Sequence, residues 1–158
     1  QQGSEDDEFP AIEYEQDKHQ WLTQIDEFYQ LIQGFIGDYL QQGKVSEEWK
    51  TIQLQEDYFG EYEVKQLILK IGKKRLIFKP IGRFIIGCKG RIDLISDLGS
   101  VRFLLVPKDF DQPGALFLSD LSPNTEWQWK LASRPPKVSY LKITEETFFD
   151  ALMEVANA

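Results

Sequence analysis

The chain reads as an α+β domain, a curled antiparallel meander of about seven to nine strands with one helix ahead of it and one behind. Three observations predict this. Leu67 to Val106 is a series of short apolar runs separated by turn residues. Apolar residues between about 17 and 42 recur at helical spacing. The C-terminal stretch opens on Thr144 followed by Glu145 and Glu146, the pattern of a capped helix start.

The segment 1–9 carries the acidic run Glu5-Asp6-Asp7-Glu8. It is expected to be a disordered tail or a tag remnant, and residues 10–158 a single domain. In the first helix, about 17–42, Trp21, Ile25, Phe28, Ile32, Phe35, Ile36 and Tyr39 form the apolar stripe and Gly43 is the stop. Gly34 and Gly37 predict a bend or a close approach. Ser46-Glu47-Glu48 allows a short turn of helix, and Thr51 to Glu56 alternates as a strand. Phe59-Gly60-Glu61 is a turn. In the strand that follows, the apolar phase changes near Gln66, from Val64 to Leu67, which is the signature of a bulge.

The meander spans about 62–106. Gly72-Lys73 predicts a two-residue II′ hairpin that sets Leu69 opposite Leu76 and Leu67 opposite Phe78. Pro80-Ile81-Gly82 and Cys88-Lys89-Gly90 predict three-residue loops, pairing Phe78 with Phe84, Leu76 with Ile86, Ile86 with Ile92 and Phe84 with Leu94. At Asp97-Leu98-Gly99-Ser100 a two- or four-residue loop is expected, pairing Leu94 with Phe103 and Ile92 with Leu105. The resulting core face holds Leu67, Leu69, Leu76, Phe78, Phe84, Ile86, Ile92, Leu94, Phe103 and Leu105. On this register Gly90→Val costs about 1–2 kcal/mol through a forbidden φ.

The other face has a middle row of Ile68, Ile77, Ile85, Asp93 and Leu104. Lys79, Arg83, Ile95 and Arg102 lie on one side of it, and Lys70, Arg75, Gly87, Arg91 and Val106 on the other. Two readings stay open. The face binds an anion through Arg83, Arg91, Arg102 and Lys79, or another element covers it and Asp93 forms a structural ion pair with Arg91 or Arg83.

Further strands are expected across about 115–143. Ala115 to Ser119 is short, and Leu121 to Asn124 is a turn. Thr125 to Leu131 alternates, with Trp127, Trp129 and Leu131 on one face as core. Ser133-Arg134-Pro135-Pro136-Lys137 is an extended linker, and Val138 to Ile143 a strand. The last helix, about 145–157, buries Phe148, Ala151, Leu152 and Val155, with Ile143 and Phe148 as a hydrophobic staple.

The chain has 158 residues, 42% hydrophobic and 28% charged, with a net charge of −8. That charge argues against a general nucleic-acid coat protein and suits a basic partner. A single cysteine, Cys88, excludes an internal disulfide and predicts a reducing compartment, so a cytoplasmic location is expected. No apolar run is long enough to span a membrane.

No catalytic pattern emerges. His19 has no neighbouring ligand residue for a metal. Asp109 and Asp111 alone fall short of a calcium site. Asp93 would suit the first acid of a metal-dependent nuclease, but the next strand reads Phe103-Leu104-Leu105-Val106 where an acid and a lysine are required. Glu63-Val64-Lys65 has the right local spacing, but its only upstream acids at short range lie in a turn. Cys88 and His19 lack an orienting partner, and no glycine-rich phosphate loop is present.

The segment PIGRFIIGCKGRIDL, from Pro80 to Leu94, resembles uncharacterised bacterial proteins that carry a glycine-spaced P-x-G…G-x-x-G-R-[I/V]-D-L core. The resemblance covers the central third of the chain and the TEETFFDAL tail from Thr144. It implies a bacterial origin and no particular activity.

The sequence therefore points to a non-enzymatic protein-interaction module, of a regulatory or immunity type, with a basic protein partner and no cofactor or metal. The alternative is a binder of anionic ligands or nucleic acid, and the third reading a metal-dependent nuclease. A pleckstrin-homology-like curled sheet is one topology that fits.

Overall fold

The computed structural model describes residues 3–83, 88–113 and 124–157, with side chains from residue 15 onward. Helix α1 (Gly3–Gln41) precedes seven strands, and helix α2 (Glu145–Asn157) follows them. The strands are β1 (Ser46–Glu56), β2 (Gly60–Ile71), β3 (Lys74–Gly82), β4 (Arg91–Ser96), β5 (Gly99–Pro107), β6 (Trp127–Ala132) and β7 (Tyr140–Lys142). They form one open antiparallel sheet in sequential order, so every connection joins neighbours.

The β2–β3 hairpin has the expected register, Leu69 opposite Leu76 and Leu67 opposite Phe78. Gly72 takes the left-handed φ of +61° that the first position of a II′ turn demands. The next predicted turn does not form. Pro80 and Gly82 remain in β3, which pairs directly with β4 through Phe78–Leu94 and Pro80–Ile92. Phe78 thus faces Leu67 and Leu94, and Ile92 faces Pro80 and Phe103, where the turn-by-turn reading sets Phe84 and Ile86. Phe84, Ile85, Ile86 and Gly87 lie outside the described residues, as do Ala115 to Ser119 and most of the Leu121 to Asn124 turn.

The β4–β5 turn is a two-residue loop, Asp97-Leu98. It sets Leu94 opposite Val101 and Ile92 opposite Phe103, two residues from the expected register. An even shift keeps side chains on their faces. Leu67, Leu69, Leu76, Phe78, Ile92, Leu94, Phe103 and Leu105 accordingly all join the main core.

Helix α1 lies across this core face. Phe28 is fully buried, with its ring 5.0 Å from Phe103 and 5.1 Å from Trp129. Burial of one such ring contributes about 1.5–3 kcal/mol. The helix ends where Gly43, at φ +72°, accepts the left-handed position. Gly43 N donates to Leu40 O and Lys44 N to Tyr39 O, the paired bonds of a Schellman cap. By sequence α1 runs through the acidic segment 5–8 assigned above to a tail. It is helical through Gly34 and Gly37 as well, and no neighbouring atom approaches within 4 Å of where either Cβ would stand.

Thr144 caps α2 by accepting from Thr147 N at 3.2 Å. Phe148 stacks on Phe78 (6.2 Å) and on Phe35 (5.3 Å), which ties α2 to both the sheet and α1. Trp129 and Leu131 are buried, as the alternation of β6 predicts.

Ser46, Glu47 and Glu48 belong to β1 rather than to a turn of helix, since they pair with Lys70, Leu69 and Ile68. A single helical turn gains too few hydrogen bonds to compete with that ladder. The β1–β2 register is unbroken from Ser46–Lys70 to Glu56–Gly60, so the phase change near Gln66 is not a bulge. It occurs in both strands together, from Trp49 to Ile52 and from Leu67 to Val64. There β2 parts from β3, whose last pair is Leu67–Phe78. Tyr29 Oη donates to Lys65 O at 2.6 Å and reaches Phe78 O at 3.3 Å, satisfying carbonyls on both sides of the fork. Below it, Trp21 Nε1 donates to Tyr62 Oη (3.0 Å), which in turn bonds Glu56 Oε2, while Glu56 Oε1 accepts from Arg83 N (2.9 Å).

Candidate anion-binding face

The opposite face of the sheet is built around Asp93. β4 lies between β3 and β5, so Asp93 stands directly opposite Lys79 on one side and Arg102 on the other. Arg91, two residues earlier, shares its face by strand alternation. Arg91 Nε and Nη2 donate to the two carboxylate oxygens of Asp93 at 2.8 and 2.7 Å. This bidentate pair is the arrangement that a planar guanidinium favours. The Asp93 side chain is 9% exposed and that of Arg91 24%. The hydrogen bond to Asp93 raises the Arg91 pKa, with burial opposing it, so the guanidinium is held charged. Lys79 and Arg102 are exposed. One acid thus sits among three bases, and its bonds go to one of them.

A loop covers part of this face. After Pro107 the chain folds back, and Phe110 packs with Leu104, Val106, Cys88, Ala132, Val138 and Tyr140 in a second small core. The buried Lys130 holds the loop by donating Nζ to Lys108 O (2.7 Å) and Phe110 O (2.6 Å). Tyr140 N donates to Asp111 O at 2.8 Å. Burial raises the pKa of the Cys88 thiol, which leaves it a poor nucleophile.

Beyond the loop a groove of about 710 Å³ runs from this face to the core residues Val101 and Leu131 and to α2. Arg91, Arg102 and Arg134 line it, together with Leu104, Ala132, Val138 and Tyr140. Asp150 and Glu154 of α2 form part of the lining. Arg134 Nε bonds Glu154 Oε1 at 2.6 Å and so bridges the 133–137 segment to α2.

Three of the four expected anion-binding residues, Lys79, Arg91 and Arg102, therefore converge, and Arg91 makes the expected ion pair with Asp93. Arg83 does not join them. The register shift between Pro80 and Gly82 carries it away to the β2–β3 fork, where it is only 7% exposed. Burial there lowers its pKa, against the attraction of Asp17 and Glu56. Arg134 was not foreseen as a groove residue. Its signal was a lone arginine beside a double proline, which suggests a fixed position without saying where.

Among the described residues, no three His, Cys, Asp or Glu side chains are placed to share a metal ion, and no helix is long and apolar enough to cross a membrane. No protein-family model, curated protein or solved structure matches the chain.

Proposed function

We propose that this protein is an interaction module that holds an acidic protein segment on the second face of its sheet. The observation that carries the reading is the convergence of Arg91, Arg102 and Arg134 on one groove beside apolar Leu104, Val138 and Tyr140. Guanidinium groups suit carboxylates, and the apolar lining suits a neighbouring aliphatic or aromatic side chain. Asp150 and Glu154 in the same lining disfavour a continuous polyanion, so a short acidic-apolar peptide fits better than nucleic acid. The volume lies within the range of about 300–1,000 Å³ usual for ligand sites.

The test is fluorescence anisotropy with a short peptide of alternating Glu and Phe, beside a single-stranded oligonucleotide of equal charge. The expected result is saturable peptide binding that Arg102→Glu weakens about tenfold or more. Peptide binding that ignores Arg102→Glu, or tighter binding of the oligonucleotide with a steep salt dependence, would overturn it.

A second reading rests on charge segregation. Helix α1 holds ten of the 26 acidic side chains and only one, Lys18, of the 18 basic ones, a net of −9 that leaves +1 for the rest of the chain. A basic partner would meet α1, where Asp26, Glu27 and Asp38 are exposed. Paired Asp26→Lys and Glu27→Lys substitutions would abolish that interaction and leave groove binding intact.

A further inference from the structure

The two edges of the sheet differ. β7 is a three-residue edge strand, too short to template another chain. β1, at the other edge, is 11 residues long, and among the described residues it pairs only with β2, along its whole length. Its backbone on the outer side is a long row of hydrogen-bonding groups, and natural sheets seldom leave such a row open.

The sequence in the first half of β1 is self-complementary, and a dyad at Trp49 pairs residues 46–52 of the two copies. Glu48 and Lys50 flank Trp49. In an antiparallel pairing of two copies of β1 centred on Trp49, each Glu48 stands opposite the other copy's Lys50. The same dyad brings the two Trp49 side chains together on one face. Trp49 is 36% exposed, and the edge of its contact with Tyr29 (4.9 Å, 89°) fixes its ring without covering it. Within one chain Glu48 is only loosely engaged, 3.9 Å from Lys50 and 3.8 Å from Lys70. Opposed charges and an aromatic pair are the contacts that stabilise antiparallel neighbours, and a two-fold axis makes each contact occur twice.

We infer that β1 is a self-association edge, joining two copies of this chain into one continuous sheet with Trp49 at the dyad. The occupant is a second copy because the charge order Glu-Trp-Lys is satisfied by its own reverse. This inference uses the edge opposite β7 and is independent of the groove.

The experiment is sedimentation equilibrium of the full chain from micromolar to millimolar concentration. The expected result is a concentration-dependent dimer. Lys50→Glu alone and Glu48→Lys alone each oppose like charges at both contacts and should weaken it roughly tenfold. Mixing those two single variants places unlike charges across the dyad again, and a heterodimer should recover the native affinity. A chain that stays monomeric throughout would overturn the inference. So would a dimer that both single variants leave unchanged, or one that the mixture fails to restore. Circular dichroism of each variant separates a lost interface from a lost fold.

Discussion

Gly90→Ala tests how α1 is seated on the sheet. A Cβ at Gly90 would overlap Cζ3 of Trp21 and lie 2.9 Å from Cη2 and 3.0 Å from Cε3. Neither partner can yield easily. Trp21 is fully buried and tied to Tyr62 by its indole N–H. Gly90 is held on β5, because Lys89 N donates to Leu105 O while Leu105 N donates to Gly90 O. Two residues there stand opposite one, the geometry of a bulge. Overpacking of this kind costs about 1–3 kcal/mol, and displacement of the indole from Tyr62 adds about 1 kcal/mol. A total of about 2–4 kcal/mol moves the urea midpoint by about 1–2 M at the slope usual for a small domain. The assay is urea unfolding followed by tryptophan fluorescence and circular dichroism. In a Trp21→Leu background the same substitution should cost less than half as much, because the two residues share one space. A loss within about 0.5 kcal/mol of zero, or full additivity with Trp21→Leu, would refute the reasoning. The cause differs from the sequence expectation: Gly90 is not among the glycines of positive φ, and space rather than dihedral angle requires it.

Three further outcomes follow from the same geometry. Tyr29→Phe removes the hydroxyl that bonds Lys65 O and Phe78 O, and should cost about 1–2 kcal/mol in chemical denaturation. Stability should fall as pH rises above about 10. Burial raises the pKa of both Tyr29 and Tyr62, so the unfolded chain loses these protons first, and the contribution present below pH 10 is lost on the alkaline side. Tyr62→Phe should flatten that slope in thermal melts between pH 9 and 12; an unchanged slope contradicts the assignment. Asp93→Asn leaves Arg91 without its carboxylate among three bases and should cost about 1–3 kcal/mol. High salt should recover little of it, as the pair is largely buried.

The legible parts of the fold were those set by local chemistry. Gly72 dictates its hairpin because few other residues take that φ. The Leu-Ile alternation then carries the face across an even register error at Asp97-Leu98. Pro80-Ile81-Gly82 misled because its turn chemistry is real but overridden. Beyond Phe78, β3 has lost β2 as a neighbour, and an edge strand tolerates a proline. With β3 running on to Gly82, β4 became its partner. The phase change at Gln66 was readable as an event, though not as a fork, since that depends on Tyr29 and Trp21 from a distant helix. In the candidate site, Lys79, Arg91, Arg102 and Asp93 were legible as one face because strand parity survives the register change. Arg83 was not separable from them, since the irregularity between Pro80 and Gly82 moves it. Arg134 reaches the groove only through the path of the 133–137 segment, which no periodicity encodes.

The central claim is that the second sheet face is the contact surface. Amide chemical-shift mapping of the full chain, titrated with the alternating Glu-Phe peptide, tests it most directly. Saturable shifts are expected at Arg91, Arg102, Leu104, Arg134, Val138 and Tyr140, lost in Arg102→Glu. Shifts confined to α1, or none at millimolar peptide, would contradict it.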